Sequence, residues 1–508
     1  MTAFPLHLRS SNNKNNNVLN QHTTTKETTA KPLYRRAKIW QIGLFSFNSN
    51  AVYLYTVLFY YIVYFASGVL GLGVAVVSML LASMRLLDGI IDPFVGWLID
   101  RTNGKFGKFR PFMIVGNILM ACSLLLMYYS QYAGAAKFPL FVFAFVIHIF
   151  GHTCQYCITR AAQSALTNDP VQRPIFSMFD MITSILLYVG ILMLVSNYLI
   201  VKHGDFTAEL FRDFFVIIVL CSMVCTVLAI VGINKKDRTE HFDIIEKAPK
   251  IKLRDGWNML RNNRTIQMLV ISAATDKLFS NITLNAVVVV IIYGIICGDF
   301  ALAGQVAIHI FPLSMVVSLL CIQFARKFGQ KRAFLLATYG GMIFTMLLFL
   351  LFVFGDPTSL SFTEWGTFTV LYLFFLALRG GFISSNNSII TPMIADCADY
   401  EVMRSGKYLP GMVGALFTGV DQVFTSLNNV IIGVLVILAG YRASFPTVTT
   451  PYSTELFWVG MIAFCGLPML GWVINIVCMR YYPLDREKMV EIQQKIQEIK
   501  SEAGKKER

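Results

Sequence analysis

Residues 85–101 read RLLDGIIDPFVGWLIDR and place three aspartates and two arginines inside a long apolar segment. An ionised side chain at the centre of a bilayer costs about 2.5–3.5 kcal/mol even on the lenient insertion scale, so each should face a cavity or a partner. Arg85, Asp88 and Asp92 are three and four residues apart, which places them on one helix face. Because two carboxylates one turn apart repel each other unless a cation or proton accompanies them, this face predicts a cation or proton site.

The same stretch allows a plainer interpretation. Arg85 and Asp88 would form a structural ion pair, and Asp92, followed by a proline, would stabilise a kink. Asp100 and Arg101 differ from the other charges because they begin a polar loop. We expect these two residues to form a gate contact between helices and not a binding site.

The composition of the whole chain is that of an all-α membrane protein. Of 508 residues, 56% are hydrophobic and only 14% are charged, and runs of twenty or more largely apolar residues recur along the chain. The net charge of +14 comes from basic residues in short loops, which argues against a nucleic-acid partner. The ten cysteines are scattered singly without metal-ligand spacing, and no phosphate-binding loop or nucleophile elbow occurs. We therefore expect neither an enzyme nor a bound metal or cofactor.

Apolar runs of about 20 residues predict twelve membrane-spanning helices. The longest polar insertion, residues 234–264, divides them into an N-terminal half (35–233) and a C-terminal half (265–480) of six helices each. Residues 1–34 are predicted to be a disordered cytosolic tail, and 481–508 a charged, helical cytosolic tail. The predicted spans are 39–66, 73–100, 111–130, 138–165, 174–200, 212–233, 266–296, 300–324, 333–355, 364–396, 408–440 and 455–480.

Basic residues concentrate in alternate loops, which predicts that both termini lie in the cytoplasm. Two of these loops, DRTNGKFGKFRP after the second span and ARKFGQKRAF after the eighth, occupy equivalent positions in the two halves. Two six-helix halves with a matching turn predict the major facilitator architecture, whose binding site lies at the midplane between the halves.

Two segments carry a more specific signal. Residues 88–116, DGIIDPFVGWLIDRTNGKFGKFRPFMIVG, closely resemble the second-span signature of the glycoside–pentoside–hexuronide:cation symporters. Residues 393–424, MIADCADYEVMRSGKYLPGMVGALFTGVDQVF, resemble the segment between the tenth and eleventh spans of that family. The resemblance implies a secondary active transporter of the plasma membrane that imports a glycoside or oligosaccharide with a proton or sodium ion by alternating access.

The resemblance also implies a cation site formed by Asp88, Asp92 and a fourth-span threonine, Thr153. The residue before the second aspartate is often polar in the family, but here it is Ile91. Sodium needs several oxygen ligands, whereas a proton needs one suitable carboxylate. The loss of a ligand favours proton coupling, and an uncoupled carrier is the alternative.

The sugar site departs further from the family pattern. The first-span aspartate is absent although Asn48 and Asn50 remain. The fourth-span aspartate falls on Tyr156, with Arg160 one turn further along, and the fifth-span arginine falls on Asp180. An eleventh-span lysine of the family aligns with Gln422, beside Asp421. Because these charges are rearranged, we expect a substrate other than a neutral galactoside.

Sugar sites combine aromatic faces with amides and hydroxyls, although in this Phe- and Tyr-rich chain a single aromatic residue more often packs than binds. Arg160, Arg379 and Lys277 lie near predicted spans and favour an anionic, uronate-containing substrate. The rivals are a carrier of another ligand, such as a lysolipid, and a non-transporting membrane sensor. The predicted partners are the substrate and the bilayer, with the chain acting as a monomer. The candidate substrate-binding residues are Asn48, Asn50, Tyr53, His152, Tyr156, Arg160, Asp180, Asp276, Arg379 and Gln422, with Asn281 and Asn386 as further candidates.

Overall fold

The computed structural model describes residues 37–102, 106–162, 166, 173–234, 237, 261, 263–405, 410–492 and 494–495. The predicted tail 1–34 lies outside these residues, as do most of the central loop 234–264 and the last part of the tail 481–508. Over the described residues the regular elements are helices. Residues 486–492 of the C-terminal tail are helical.

Twelve long helices follow one another along the described chain. Four of them contain a π-helical stretch, at Phe65–Val69, Leu194–Leu199, Val290–Ile296 and Ile462–Gly466. The helices are α1 (Ile39–Tyr64), α2 (Val74–Arg101), α3 (Arg110–Tyr129), α4 (Lys137–Ala161), α5 (Arg173–Met193, continuing to His203), α6 (Ala208–Ile233), α7 (Arg264–Thr283, resuming at Ala286–Val289 and continuing to Ile296), α8 (Leu302–Phe328), α9 (Gln330–Phe354), α10 (Thr367–Ser405), α11 (Pro410–Leu438) and α12 (Thr454–Met461, continuing to Leu467–Tyr481).

Ten of these helices are long and apolar enough to cross a membrane, and α7 counts as an eleventh if its two parts form one span. The twelfth is α2, which is 28 residues long and carries the charges of the opening motif. The predicted all-α fold with twelve helices in two six-helix halves is therefore confirmed.

Two helix boundaries differ from those predicted. Helix α7 bends by 45° at a short break, where Asn285 accepts a hydrogen bond from the Val287 backbone N–H at 3.0 Å and restarts the helix. Hydropathy misses this break because both flanks are apolar. Helix α10 continues to Ser405, past the predicted end at residue 396, with Pro392 inside it. The other helix ends lie within about four residues of the prediction.

The two halves repeat the same packing. In the N-terminal half α1 packs on α6 and α3 on α4, and in the C-terminal half α7 packs on α12 and α9 on α10. The α3–α4 pair is close because glycines meet there. A Cβ built on Gly116 would lie 2.8 Å from the carbonyl oxygen of Gly151. Small residues at the crossing let the two backbones approach in a way that a side chain would prevent.

The halves contact each other on one side of the bundle. We call the side where α1 begins and α12 ends the terminal side, and the other the loop side. On the loop side, Ser78 of α2 lies against Gly433 of α11, and Gly304 of α8 lies against Ser196 at the end of α5. Between α5 and α6, Asp205 Oδ2 accepts hydrogen bonds at 2.8 Å from the hydroxyls of Thr447 and Thr449 in the C-terminal half. The bundle is thus closed on its loop side.

The basic turn between α2 and α3 is fixed by Asp237, which follows α6. This carboxylate accepts hydrogen bonds from the backbone N–H groups of Lys108 at 2.8 Å, Phe109 at 3.1 Å and Arg110 at 3.1 Å. Gly107 has a φ of +91°, and a Cβ there would lie 2.2 Å from the Asp237 carboxylate. The turn therefore requires glycine for its conformation and for its close approach to the carboxylate.

Candidate functional site

The carboxylates of α2 lie at the boundary between the two halves. Thr153 of α4 donates a hydrogen bond from Oγ1 to Asp88 Oδ1 at 3.0 Å. One turn along α2, Asp92 Oδ2 accepts a hydrogen bond from Gln422 Nε2 of α11 at 3.4 Å. The structure thus brings the three predicted cation-site residues Asp88, Asp92 and Thr153 together, and it joins them to a residue of the C-terminal half.

Arg85 does not form the predicted ion pair. Among the described residues no carboxylate lies within ion-pair distance of Arg85, and its side chain is exposed. Arg85 is nevertheless near enough for its charge to act on Asp88, so the plainer interpretation of the motif stays a prediction. The predicted gate residues Asp100 and Arg101 have side chains outside the described part of the chain, so the gate contact stays a prediction.

A histidine and a tyrosine of α4 stand beside these carboxylates. His152 is near enough to Arg85 and Asp92 for both charges to act on it, and its ring stacks on Tyr156 with centroids 5.6 Å apart. One turn away, His148 is buried and makes a 2.9 Å hydrogen bond with Ser123. The polar face of α4 therefore continues the α2 cluster through His152 and Tyr156, whereas His148 belongs to the core.

Asn48 is part of the helix packing. It is fully buried, and its Nδ2 donates to the Gln155 carbonyl at 3.1 Å and to Thr159 Oγ1 at 2.9 Å. Its Oδ1 accepts from Gln155 Nε2 at 3.1 Å. The whole amide is therefore used between α1 and α4 in this conformation, and the substrate-binding role of Asn48 stays a prediction.

The other candidates of the N-terminal half face α5. Asn50 accepts a hydrogen bond from Thr183 Oγ1 at 3.0 Å, while its buried Nδ2 has no partner among the described residues. Asp180 lies one turn before Thr183 and also has a buried oxygen, Oδ1, without a partner in the described chain. Tyr53 is half-buried against the main core cluster. The side chain of Arg160 lies outside the described residues.

A cavity of about 730 Å³ lies mainly in the C-terminal half, and Tyr188 and Leu192 of α5 complete its wall. Helices α7, α8, α10, α11 and α12 provide the remaining lining. Helix α8 contributes only apolar side chains, whereas the polar residues come from α7, α10 and α11. Those polar lining residues are Lys277, Ser280, Asn281, Thr283, Tyr293, Arg379, Ser384, Asn387, Thr391 and Asp421.

Two of the predicted substrate residues, Arg379 and Asn281, line this cavity, and Arg379 is the charged one. It is only 2% exposed, its Nη2 donates to the Phe464 carbonyl at 2.8 Å, and its guanidinium stacks on the Phe464 ring at 4.3 Å. Its Nε has no hydrogen-bond partner, and no carboxylate pairs with it among the described residues. A buried guanidinium that is left with free donors is suited to bind an anionic group.

Asp276, in contrast, faces away from the cavity. It is 3% exposed, and its Oδ1 accepts hydrogen bonds from Asn475 Nδ2 of α12 at 3.0 Å and Asn386 Nδ2 of α10 at 3.5 Å. The next residue, Lys277, points into the cavity instead. Successive helical residues point about 100° apart, so α7 presents one to the core and the other to the cavity. In this conformation Asp276 and Asn386 both lie in the core, and the predicted substrate contact of Asp276 stays a prediction.

Helix α11 joins the cavity to the α2 carboxylates. Asp421 forms an ion pair with Lys277 across the cavity wall, and the adjacent Gln422 donates to Asp92. The Asp421–Lys277 pair was not predicted as a site, although two opposite charges inside apolar spans are a readable signal. Gln422, predicted as a substrate-binding residue, thus contacts Asp92 of α2, and its binding role stays a prediction.

Comparisons with known proteins agree with this architecture. Residues 47–486 match the model of a family described as MFS/sugar transport protein. The chain is 24% identical over 432 residues to a putative glycoside/cation symporter, YagG, of Escherichia coli, covering 83% of this chain and 86% of that protein. It is 22% identical over 456 residues to a glucuronide carrier protein homolog of the same organism, covering 88% and 91%.

Solved structures show the same fold at low sequence identity. The D-xylose–proton symporter superposes with a TM-score of 0.56 and 12% identity, covering 88% of this chain and 97% of that one. The nucleoside transporter NupG superposes with a TM-score of 0.55 and 13% identity, covering 88% and 99%. The match over residues 47–486 decides the family. The chain belongs to the MFS/sugar transport proteins and is a multi-pass membrane carrier for secondary active sugar transport, not an enzyme.

Proposed function

We propose that the chain imports an acidic glycoside or oligosaccharide together with a cation, by alternating access between its two halves. The observation that carries the proposal is Arg379, a buried cation in the cavity wall without a carboxylate partner among the described residues. A sugar carboxylate would receive the free N–H donors of this guanidinium. Lys277 of α7, which also lines the cavity, would provide a second positive charge. One relative in sequence is a glucuronide carrier protein homolog, which agrees with an acidic substrate.

The coupling cation would bind at Asp88 and Asp92, with Thr153 as an additional oxygen ligand. Two carboxylates one turn apart, without an ion-pair partner in the described chain, require neutralisation before the half-interface can close over them. A proton would satisfy either carboxylate alone, and Ile91 adds no oxygen. We therefore propose a proton as the coupling ion, with sodium as the alternative. Loading this site would remove the charge that resists closure.

Positive-inside orientation would place the terminal side in the cytoplasm of a cell whose plasma membrane holds the protein. The structure, closed on its loop side, would then be the inward-facing state. In this state the contacts of Asp205 would close the extracellular side, and the cavity would release the substrate to the cytoplasm. We propose that one chain is sufficient for transport because the cation site and the cavity are both built within it.

The test is uptake into proteoliposomes of a labelled glucuronide and of the matched neutral glucoside. Arg379→Gln should reduce glucuronide uptake at least tenfold more than glucoside uptake. Arg264→Gln is the control, because Arg264 stacks on Tyr481 outside the cavity. Equal loss of both substrates in Arg379→Gln would refute the acidic substrate, and unchanged uptake on collapse of both the proton and sodium gradients would refute coupling.

A second candidate is the carrier of an amphipathic anion, such as a lysolipid. The observation that favours it is the wall formed by α8, where Ala303, Val306, Ala307 and Ile310 present a continuous apolar face to the cavity. Such a face would accept an alkyl chain while Arg379 held the head group. Competition by lysophospholipid below its micellar concentration distinguishes the two, because a carrier of hydrophilic sugars would show no such competition.

A further inference from the structure

Behind the cavity wall, the C-terminal half contains a buried acid whose surroundings hold no opposite charge. Asp276 lies between α7, α10 and α12 and is 3% exposed. Among the described residues no lysine, arginine or histidine pairs with its carboxyl group. The lysine next to it in sequence is engaged by Asp421 on the cavity side of α7. An ionised carboxylate in such a place would lack the compensation that buried charges normally require.

The hydrogen bonds around Asp276 are unevenly divided between its two oxygens. Both amide donors, from Asn475 and Asn386, reach Oδ1. Oδ2 is buried and accepts no hydrogen bond of normal geometry, although the Trp472 indole lies beside the carboxyl group, and Oδ1 of Asn386 also has no partner in the described chain. These two orphan atoms are both acceptors when the acid is ionised. A proton on Oδ2 turns one of the two acceptors into a donor and removes the charge at the same time.

The groups around Asp276 leave too few free oxygen ligands and too little space for a metal ion, which would be the alternative to a proton. Asn475 Oδ1 already accepts hydrogen bonds from Ser272 Oγ at 3.0 Å and Thr275 Oγ1 at 3.2 Å. The void beside Asp276, lined also by Phe279 and Trp472, is too small for a water molecule. A sodium ion needs several free oxygens and room for them, whereas a proton needs neither. Arg379 on α10 and Asp421 on the neighbouring α11 face the cavity. The remaining charged residues of α7, α10 and α12 lie towards the ends of those helices, at Arg264, Asp396, Asp399, Glu401, Arg404, Glu455 and Arg480.

We infer that Asp276 is a proton-binding site of the C-terminal half, which holds its carboxyl group as a neutral acid in this conformation. The site is separate from the α2 carboxylates, which lie in the other half and contact Gln422. It does not depend on the identity of the transported substrate. Because Asp276 and Lys277 are adjacent on α7, a rearrangement of the cavity wall moves the protonated side chain with it.

Infrared difference spectroscopy of the purified chain at pH 7 tests the inference directly. The wild type minus Asp276→Asn spectrum should contain the carbonyl stretch of a protonated carboxylic acid. Asp421→Asn is the matched control: Asp421 forms an ion pair with Lys277, and its removal should take away a carboxylate band instead. Loss of a carboxylate band in Asp276→Asn would overturn the inference.

Thermal unfolding gives an independent readout. An amide replaces a neutral acid with nearly the same shape and hydrogen-bonding capacity, so Asp276→Asn should unfold within a few degrees of the wild type. Asp276→Leu should unfold well below it, because Leu leaves the amides of Asn386 and Asn475 unsatisfied. Failure of Asp276→Asn to fold, while the spectra of Asp421→Asn remain native, would show that the site requires a charge and would refute the proposal. Neither readout depends on uptake, so the result stands apart from the acidic-substrate experiment.

Discussion

The closure of the loop side rests in part on one carboxylate, and its removal should shift the equilibrium between the two transport states. Asp205 accepts two hydroxyl hydrogen bonds at 2.8 Å from the opposite half. Both hydroxyls regain water when the halves separate, so we take about 0.5–1 kcal/mol for each bond. Asp205→Ala should therefore favour opening by about 1–2 kcal/mol. That corresponds to a roughly 5–30-fold larger population open on the loop side.

Thiol labelling from the loop side measures this population. Ser384 lines the cavity, so a cysteine introduced there reacts with an impermeant reagent only when the loop side opens. The exposed cysteines Cys122 and Cys221 are first replaced by serine. Asp205→Ala should raise the labelling rate of Ser384→Cys by the factor given above, and the Thr447→Val and Thr449→Val double variant should raise it to a similar extent.

The control carboxylate lies on the same side and crosses no interface. Asp213 contacts Lys202, His203 and Arg212, all within the N-terminal half. Asp213→Ala should leave the labelling rate unchanged. The reasoning is refuted if both aspartate variants label at the same rate, or if Asp205→Ala acts in full on top of the threonine double variant. In a double-mutant cycle, two residues that share the same hydrogen bonds should not act additively.

Further predictions concern the cation site, the cavity and the scaffold. Asp92→Asn should abolish gradient-driven accumulation but keep exchange, measured by uptake and counterflow in vesicles; full accumulation would contradict the coupling role. Asp421→Asn should lower the KM for a glucuronide several-fold, because it frees Lys277, while Lys277→Gln should raise it. Asp237→Asn should cost about 1–3 kcal/mol of stability, seen as a lower Tm, since an amide serves fewer of the backbone N–H groups. Gly151→Leu should prevent folding, detected as loss of the monodisperse peak, because the side chain would enter the α3 backbone.

Matched variants accompany these predictions. Asp356→Asn changes a carboxylate that only caps a short loop turn beside Thr358, so accumulation and KM should remain at wild-type values. Gly190→Leu adds the same side chain to a helical glycine with no atom within 4 Å of its built Cβ. Equal damage by Gly190→Leu and Gly151→Leu would show that close packing of α3 on α4 is not the cause.

Hydropathy was sufficient to predict the helices because lipid leaves the backbone few alternatives. It placed most ends within about four residues but could not predict the break after Thr283, since that break depends on Asn285 as a cap and not on polarity. The charged motif of α2 led to Asp88 and Asp92 because charges in a span are rare, whereas Thr153 came only from the family resemblance. The helix face of a side chain was harder to predict. Asn48 and Asp276 look like ligands in sequence, and only the packing shows that both serve the core.

Sequence also gave no means of pairing charges across helices. Lys277 and Asp421 are 144 positions apart, so their contact arises from the way the C-terminal half is assembled. The hydrogen bonds between Asp237 and the turn after α2 likewise join residues that are far apart in sequence. Long-range contacts of this kind depend on helix rotation and offset, which periodicity does not determine.

The adjacent residues Asp421 and Gln422 connect α11 to the cavity and to the α2 carboxylates at once. Asp421 contacts Lys277 in the wall of the cavity that would hold the substrate, and Gln422 contacts Asp92, which would bind the cation. Because the two side chains project about 100° apart from one helix, a rotation of α11 displaces both of them together. A small molecule that binds against α11 and blocks its movement would therefore inhibit substrate binding and cation binding together. Resistance mutations should arise near either Asp421 or Gln422.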